Sequence, residues 1–405
     1  MSNNRKLVVA AIISASLAVM ISSGIRSSFG LFLAPITETL GTGRENLSIA
    51  FAVNNLVFGL PLVGLLSDRF GPRQVVIAGS VLYAGGLVMV TLLTTTMGLV
   101  VSFGLLVGIG LGATSYVVVL GAVAQLIGED QRSRVFGLIT AMGSAGMFVV
   151  PPLAQLLLSN LGWQGALYTL AVVPAIVALL AFGLPRRPGT QLHGAQEPHV
   201  DEPFRSVLKR AARHRGYLLL TTGFFVCGFH VAFIGAHLPA YLGDKGLPEF
   251  VAAGALALVG AFNIIGSMLF GWLGDRYSRK YMLSLIYLGR AIVILIFLLT
   301  PLTPTSALVF GGAMGFLWLA TVPLTSGTVA YFFGARYLST LYGIAFFSHQ
   351  IGAFIGVWLG GRFYDTTGSY TPIWVAGIAL GLFAALVHLP IPERTELSSV
   401  AAAAD

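Results

Sequence analysis

Two arginines lie inside long apolar runs of the sequence, Arg26 in the run 7–35 and Arg290 in the run 281–300. The 15 Asp and Glu residues fall in polar loops, at the ends of apolar runs or in the tail, so we expect no acidic partner for either arginine. A charge buried in a membrane without a partner is costly and marks a candidate functional residue. An anionic ligand would supply the missing charge, because a guanidinium binds a carboxylate through two parallel hydrogen bonds.

Further polar side chains in the apolar runs are weaker candidates for contact with the same ligand. For each of them the alternative is a hydrogen bond or a packing contact between helices. These residues are Asn54, Asn55, Tyr116, Asn263, His349 and Gln350.

The composition predicts that the apolar runs cross a membrane. The 405 residues are 56% hydrophobic and 9% charged, with a mean hydropathy of +0.87, whereas about a quarter of a soluble domain is charged. Runs of about 20 residues recur, long enough to span a bilayer, and they do not alternate as barrel strands do. The sequence therefore predicts an all-α polytopic membrane protein with twelve transmembrane helices. The predicted spans are 7–35, 46–66, 74–94, 98–126, 134–158, 164–184, 216–241, 250–272, 281–300, 305–331, 338–361 and 372–390.

The basic residues are distributed unevenly between the two sides of these spans. Of the 23 Lys and Arg, only Arg44, Lys245 and Arg362 fall on one side, and all but the two intramembrane arginines fall on the other. By the positive-inside rule, the basic side is cytoplasmic. This predicts a plasma (inner) membrane protein with both termini in the cytoplasm. The net charge of +8 is therefore attributed to topology and not to nucleic-acid binding.

The two halves of the chain repeat each other at an offset of about 204 to 207 residues. Arg26 matches His230, and Asp68 matches Asp275, each within a longer block of matches. This repeat predicts two pseudo-symmetric six-helix bundles with a substrate site between them near mid-membrane. The predicted divisions are an N-terminal bundle at 1–184, a cytoplasmic linker at 185–215, a C-terminal bundle at 216–392 and a cytoplasmic tail at 393–405.

A charged motif follows the second span of each half. The first copy, from Gly64 to Arg73, reads GLLSDRFGPR, and the second, from Gly271 to Arg276, reads GWLGDR. This duplicated loop resembles the signature of the major facilitator superfamily, and the resemblance covers essentially the whole chain. It implies the major facilitator fold and a loop that latches the cytoplasmic face. The residues that it assigns to this gate are Gly64, Asp68, Arg69, Gly71, Arg73, Gly271, Asp275 and Arg276.

Within that superfamily, the first span is similar to that of the monocarboxylate porters. In those porters a basic residue of the first span serves substrate or proton binding, and Arg26 occupies the corresponding position. The resemblance implies that the first and seventh helices line the cavity, which makes His230 a candidate opposite Arg26. We expect any proton coupling to use His230 or the carboxyl group of the substrate. The porters' paired Asp and Arg of span eight are replaced here by Asn263 and Ser267. Because ninth helices are usually peripheral, Arg290 could instead cap backbone carbonyls.

These observations predict a secondary transporter of a small organic anion, most simply a monocarboxylate, that works by alternating access. A multidrug efflux transporter is the alternative, although no intramembrane acid favours a cationic substrate, and a transporter-like sensor is a further one. The chain carries no Walker motif and no buried acids, so we expect no enzyme activity, no cofactor and no metal. The expected partners are the anion, protons and membrane lipids, with a monomer as the functional unit.

Overall fold

The structure is a computed structural model that describes residues 3–60, 62–124, 126–127, 129–186, 204–333 and 338–392. Every regular element in these residues is a helix. In chain order the α-helices are α1 Asn3–Ser27, α2 Leu33–Leu40, α3 Arg44–Phe58, α4 Leu62–Phe70, α5 Pro72–Leu92, α6 Thr96–Leu99, α7 Gly108–Ala113, α8 Tyr116–Ala124, α9 Glu129–Leu180, α10 Phe204–Ala211, α11 Arg215–Asp244, α12 Glu249–Arg276, α13 Arg279–Leu299, α14 Pro304–Leu317, α15 Thr321–Phe333, α16 Leu338–Thr367 and α17 Thr371–His388.

Ten helical stretches of the described chain are long and apolar enough to cross a membrane. One of them, Val135–Gly183, has 49 residues and contains a reversal at Gly162, so it makes two spans. Gly162 has φ 67° and ψ 174°, a backbone conformation that favours glycine. Helix α3 and the start of α4 lie in the predicted second span, 46–66. The prediction of an all-α, multi-pass membrane fold is thus confirmed.

Two of the spans contain local breaks in helical geometry. Span ten is interrupted between the end of α14 at Leu317 and the start of α15 at Thr321. Span four contains a π-helical segment, Val100–Val107. At such breaks some backbone N–H and C=O groups lose their hydrogen bonds within the helix, and neighbouring side chains must then bond to them.

The two halves pack against each other through symmetry-related helix pairs. Span two (α3) packs on span eleven (α16), and span five (the first part of α9) packs on span eight (α12). The backbones come very close, since a Cβ on Gly260 would lie 2.6 Å from backbone atoms of Met147 and Phe148. A Cβ on Gly30 would likewise collide with the carbonyl oxygen of Gly235. Glycine at these positions is therefore required for the close contact.

The connection between the halves is described only in part. Residues 187–203 of the predicted linker and the predicted tail, 393–405, lie outside the described residues. Helix α10 lies in the second part of the linker. Its residues Val207 and Ala211 are buried against Tyr217 and Leu220 of the second half. This segment is therefore packed on the C-terminal bundle.

Several ionic contacts join the halves on one side of the membrane. We call the side that holds Arg73 and Arg276 the basic face, and the side that holds Arg44 and Asp365 the opposite face. On the opposite face, both Nη atoms of Arg44 donate to the carboxylate of Asp244 at 2.6 Å. This pair links the start of span two to the end of span seven.

A second contact on the opposite face caps helix α3 from the other half. The carboxylate of Asp365, at the end of α16, accepts hydrogen bonds from the backbone N–H groups of Arg44 at 2.9 Å and Glu45 at 2.8 Å. The preceding residue, Gly43, has no side chain to perform this role. A carboxylate at a helix N-terminus satisfies free N–H groups and interacts favourably with the helix dipole. Together with the Arg44–Asp244 pair, this contact closes the opposite face.

The hydrogen bonds described on the basic face have a different pattern. Arg73 donates to the carbonyl oxygen of Leu184 at 2.9 Å, within the first half. Arg279 donates to the carbonyl oxygen of Gly327 at 3.4 Å, within the second half. Helix α4 packs on α5, α7 and α8 of its own half. The ion pairs between the halves therefore belong to the opposite face in the part of the chain that the structure describes.

We expect the substitution Asp365→Asn to weaken the closed opposite face, because the amide keeps the size of the carboxylate but loses its charge. The lost cap and dipole interaction should amount to about 1 kcal/mol, which corresponds to roughly a fivefold shift in population. Spin labels at Leu161 and Phe250, exposed residues of the two halves on this face, would report the distance between the halves. The substitution should add a population at longer distance.

The matched control is Glu38→Gln, which removes a negative charge from an exposed residue of helix α2 on the same face. It should leave the distance distribution as in the wild-type protein. Identical distributions for Asp365→Asn and Glu38→Gln would show that the cap does not hold this face closed.

Candidate functional site

Arg26 lies near the end of α1, half-buried at the boundary between the two halves. Its Nη2 donates a hydrogen bond of 2.6 Å to Oδ1 of Asn55 on α3. Its guanidinium carbon lies 4.6 Å from the centroid of the Phe58 ring. The ion pairs described in the structure involve other arginines, so Arg26 has no carboxylate partner among the described residues. Among the described residues its neighbours are therefore an amide, an aromatic face and the tyrosines Tyr83 and Tyr116, and none of these is a carboxylate.

A hydrogen-bond network extends from Arg26 into the second half. The backbone carbonyl of Asn55 accepts a hydrogen bond of 2.8 Å from Nε2 of Gln350 on α16. The side-chain oxygen of Gln350 accepts from Nδ1 of His349 at 2.9 Å. The structure thus brings together four predicted site residues: Arg26, Asn55, His349 and Gln350. Gln350 is fully buried, so this network forms a closed layer between the halves.

Aromatic rings from both halves lie beside this network. The Phe58 ring is 6.1 Å from the ring of Phe346 on α16, at an interplanar angle of 67°. Phe346 stacks on His349 at 5.6 Å and contacts Tyr342 at 6.4 Å. Phe58, Phe346 and Tyr342 are half-buried. We name Arg26, Phe58, Tyr342 and Phe346 the inter-half cleft.

The aromatic members of the inter-half cleft are not among the site residues predicted from the sequence. Phe58 lies three residues after Asn55, and Phe346 lies three residues before His349. Residues three apart share one face of a helix. The helical spacing from the predicted polar residues could therefore have identified both rings.

The two remaining asparagines have different roles. Asn263 on α12 donates a hydrogen bond of 3.0 Å to Oγ of Ser144 on α9, across the two halves. Its Oδ1 accepts from the backbone N–H of Leu319 at 3.0 Å, within the break of span ten. Asn54 donates to the carbonyl oxygen of Phe103 at 2.8 Å, in the π-helical segment of its own half. Asn263 therefore joins the halves, whereas the amide of Asn54 is used inside the first half.

Tyr116 lies at the start of α8 and is half-buried. Its hydroxyl group lies so close to Gly143 of α9 that a Cβ there would collide with it. The described contacts of Tyr116 therefore lie within the first half: it packs on Gly143, and Ser23 and Arg26 of α1 lie near its hydroxyl group.

His230 occupies the place of Arg26 in the second half but has different surroundings. It is fully buried, and its Nε2 donates a hydrogen bond of 2.7 Å to the carbonyl oxygen of Gly377 on α17. A Cβ on Gly381 would lie 3.4 Å from the same ring. These contacts hold His230 between spans seven and twelve of the second half.

Arg290 is fully buried and bonded to backbone carbonyls at the break of span ten. Its Nε and Nη2 donate to the carbonyl oxygen of Leu317 at 3.2 and 2.7 Å, and Nη2 also donates to that of Trp318 at 2.5 Å. A cation at a helix C-terminus satisfies free carbonyl groups and interacts favourably with the dipole. This geometry is the capping alternative that the sequence analysis considered for Arg290.

The first gating motif connects α4 to α5. Gly71 has φ 92° and ψ 145°, a conformation that favours glycine, and Pro72 begins α5 directly after it. Arg69 is exposed, and Arg73 bonds to Leu184 as described above. Gly64 lies in α4, and the side chain of Asp68 lies outside the described part of the structure.

The second gating motif lies at the end of α12. Asp275, near the end of α12, is largely exposed and lies 3.9 Å from Arg279, the first residue of α13. The guanidinium of Arg276 lies 4.0 Å from the ring centroid of Trp272, and Gly271 lies near Pro323 of α15. These contacts stay within the second half, as those of Arg73 stay within the first.

Comparison with known proteins places this architecture among membrane transporters. The chain is 28% identical over 387 residues to an uncharacterized MFS-type transporter, YcxA, of Bacillus subtilis (strain 168), with 92% of both chains covered. It is 29% identical over 378 residues to monocarboxylate transporter 13 of Bos taurus, covering 91% of this chain and 86% of the relative. It is 26% identical over 342 residues to monocarboxylate transporter 12 of Rattus norvegicus, covering 77% and 70%.

Solved structures share the same fold. A bacterial homologue of the human lysosomal transporter Spinster, in an inward-facing and occupied conformation, matches with a TM-score of 0.74 at 14% identity, covering 93% of this chain and 95% of that one. A mutant of the nucleoside transporter NupG matches with a TM-score of 0.74 at 13% identity, covering 94% and 99%. A family model described as Major Facilitator Superfamily matches residues 15–357, which is most of the sequence. The chain therefore belongs to the major facilitator superfamily of transporters and is not an enzyme.

Proposed function

We propose that this protein is a secondary transporter that moves a small organic anion, a monocarboxylate, between the two faces of the plasma (inner) membrane. The observation that carries the proposal is the position of Arg26, a cation at the boundary of the two halves with no carboxylate partner among the described residues. The names of the mammalian relatives, monocarboxylate transporters 12 and 13, support the same class of substrate.

The geometry around Arg26 suits a single carboxylate. The described hydrogen bond of Arg26 uses Nη2, which orients the guanidinium, and the Phe58 ring covers one of its faces. The other donors of the guanidinium edge can bind a carboxylate in a bidentate manner. The low polarity of a membrane interior strengthens such a charge-assisted contact. Arg26 would thus provide both the affinity for the anion and its orientation.

The contacts between the halves support a mechanism of alternating access. Arg44, Asp244 and Asp365 close the opposite face, so a substrate in this state would reach Arg26 from the basic face. We assign the basic face to the cytoplasm on the positive-inside rule, with both termini on that side. Opening of the opposite face would require the Arg44–Asp244 pair to separate and Asp365 to leave the N-terminus of α3. We propose that one chain performs this cycle as a monomer, with lipid around it.

Proton coupling, where it occurs, would use a histidine or the carboxyl group of the substrate. The sequence favours His230 for this role, but its described contacts lie between spans seven and twelve. His349 is the better placed histidine, because it is linked through Gln350 and Asn55 to Arg26. A protonated His349 would attract the anion, and the bound anion would in turn favour the proton. Such reciprocal binding is what a symporter requires.

We expect Arg26→Ala to abolish uptake into liposomes, and Arg26→Lys to impair it, because lysine keeps the charge but not the planar fork of donors. The lost contact should be worth about 2–4 kcal/mol, which corresponds to a loss of roughly 30- to 1000-fold in affinity for the carboxylate. Binding to the purified protein, with thermal unfolding as a check of folding, measures this effect. Lys245→Ala, which removes an exposed cation on the opposite face, is the control. Normal affinity and uptake in a folded Arg26→Ala protein would contradict the proposal.

We expect Asp68→Asn to slow transport while equilibrium binding of the anion stays within a few-fold of the wild type. The reason is that the duplicated motif lies at the ends of helices and not beside Arg26, so its charge should act on the change of conformation. Initial uptake rates and binding affinity, measured on the same liposome preparation, separate the two effects. A variant with normal turnover, or with a defect in binding alone, would exclude a gating role for Asp68.

We expect anion affinity in a proton-coupled transporter to fall as pH rises from about 5 to 8, because the proton that binds together with the anion becomes scarcer. The anion affinity should change by at most about tenfold per pH unit, which is the limit for one coupled proton. His349→Gln should flatten this slope, since glutamine forms hydrogen bonds but does not titrate. His230→Gln is the matched control and should keep the slope. Equal slopes in wild type and His349→Gln would remove His349 from the coupling mechanism.

A further inference from the structure

The inter-half cleft joins one cation to a group of aromatic rings. Phe58 stacks under the guanidinium of Arg26 at 4.6 Å, and the Phe346 ring lies edge-to-face with Phe58 at 6.1 Å and 67°. Tyr342 continues the row on α16, 6.4 Å from Phe346. The rings come from both halves, and each is half-buried, so each retains surface that a ligand can cover.

The floor of the inter-half cleft is polar and closed. Gln350 is fully buried and bonded to the backbone of Asn55, and a Cβ on Gly59 would collide with the Gln350 side chain. On the basic-face side of Arg26 the chain is more exposed, since Leu60 is 38% and Ile344 is also 38% accessible. A ligand bound to Arg26 would therefore extend along the rings and not through the floor.

The position of Phe58 restricts what can be attached to a bound carboxylate. Because its ring lies within van der Waals range of the guanidinium, the group next to the carboxyl carbon would lie against Phe58 and Phe346. A hydroxyl or amine placed there would lose water without gaining a described partner on these rings, which is unfavourable. An apolar group would be favoured by burial against the rings. A flat aromatic group gains a further contribution, because aromatic pairs prefer edge-to-face or offset geometry with centroids about 4.5–7 Å apart.

We propose that the inter-half cleft selects aromatic monocarboxylates, in which a flat ring is attached directly or through a short link to the carboxylate. This proposal rests on the proposed function, since it requires that Arg26 bind the carboxylate. Two features of the cleft define this substrate class: the guanidinium of Arg26 binds the charge, and Phe58 and Phe346 contact the ring. Short polar acids such as hydroxy acids would bind more weakly.

The test is a binding panel on the purified protein at fixed pH, with benzoate, cyclohexanecarboxylate, lactate and benzamide as probes. Benzoate and cyclohexanecarboxylate carry the same charge and have a similar size but differ in aromatic character. Benzamide keeps the ring and the shape but has no charge. We expect benzoate to bind about 3- to 10-fold tighter than cyclohexanecarboxylate, and more tightly still than lactate, from the usual contribution of an aromatic pair. Benzamide should not bind measurably.

Phe346→Leu provides the structural control, because leucine keeps an apolar side chain but removes the ring. It should reduce benzoate affinity to the level of cyclohexanecarboxylate, and should change the affinity of the latter less than twofold. Phe354→Leu removes a half-buried ring elsewhere on α16 and should keep the preference. If Phe346→Leu does not fold, Phe58→Leu tests the same ring pair from the other half.

The outcomes separate this inference from the proposed function. Loss of the benzoate preference in Phe346→Leu, with the preference kept in Phe354→Leu, supports aromatic selection. Carboxylate binding that depends on Arg26 but shows no preference for benzoate would overturn the inference and leave the proposed function standing. Absence of binding by every carboxylate on the panel would overturn both.

Discussion

The contact between helices α3 and α16 supports most of what this protein is proposed to do. At one end of the contact, the carboxylate of Asp365 caps the N-terminus of α3. Near the middle, Gln350 of α16 bonds to the backbone of Asn55, whose side chain holds Arg26. The same pair of helices therefore closes the opposite face and forms the floor of the inter-half cleft. We expect a movement that separates them at one end to change the site at the other, because each helix is continuous between the two contacts.

Arg26 and Arg290 are both arginines inside membrane spans, but their surroundings give them different roles. Arg290 is fully buried, and its guanidinium bonds to the carbonyl groups released by the break in span ten. That geometry fits a structural cap, which stabilises an interrupted helix inside the second half. Arg26 bonds to one side-chain amide and stacks on one ring, which leaves donors for a ligand. The difference between them is the number of backbone acceptors within reach, and not the depth of burial alone.

The internal repeat gives the two halves the same architecture but not the same chemistry. Arg26 and His230 match in the repeat, yet the first contacts span two and the second contacts span twelve. The two helix pairs that join the halves are related by the repeat. Span two packs on span eleven, and their counterparts, span eight and span five, pack on each other. The polar contacts along these pairs differ: Gln350 bonds to Asn55 in one, and Asn263 to Ser144 in the other. A single cation on one side of the pseudo-symmetric site suits a small asymmetric anion.

The sequence by itself determined the membrane spans, the repeat, the uneven distribution of basic residues and the isolation of Arg26 from acids. These features depend on local composition, because lipid requires each span to be apolar and to satisfy its own backbone. Only the tertiary structure decided which polar residues meet. Arg44, Asp244 and Asp365 are far apart in the chain, and their contact depends on how the two halves are oriented relative to each other. The same orientation sets Phe346 against Phe58 and turns His230 towards span twelve, because the face that a helix presents to a distant helix is fixed by packing and not by its own sequence period.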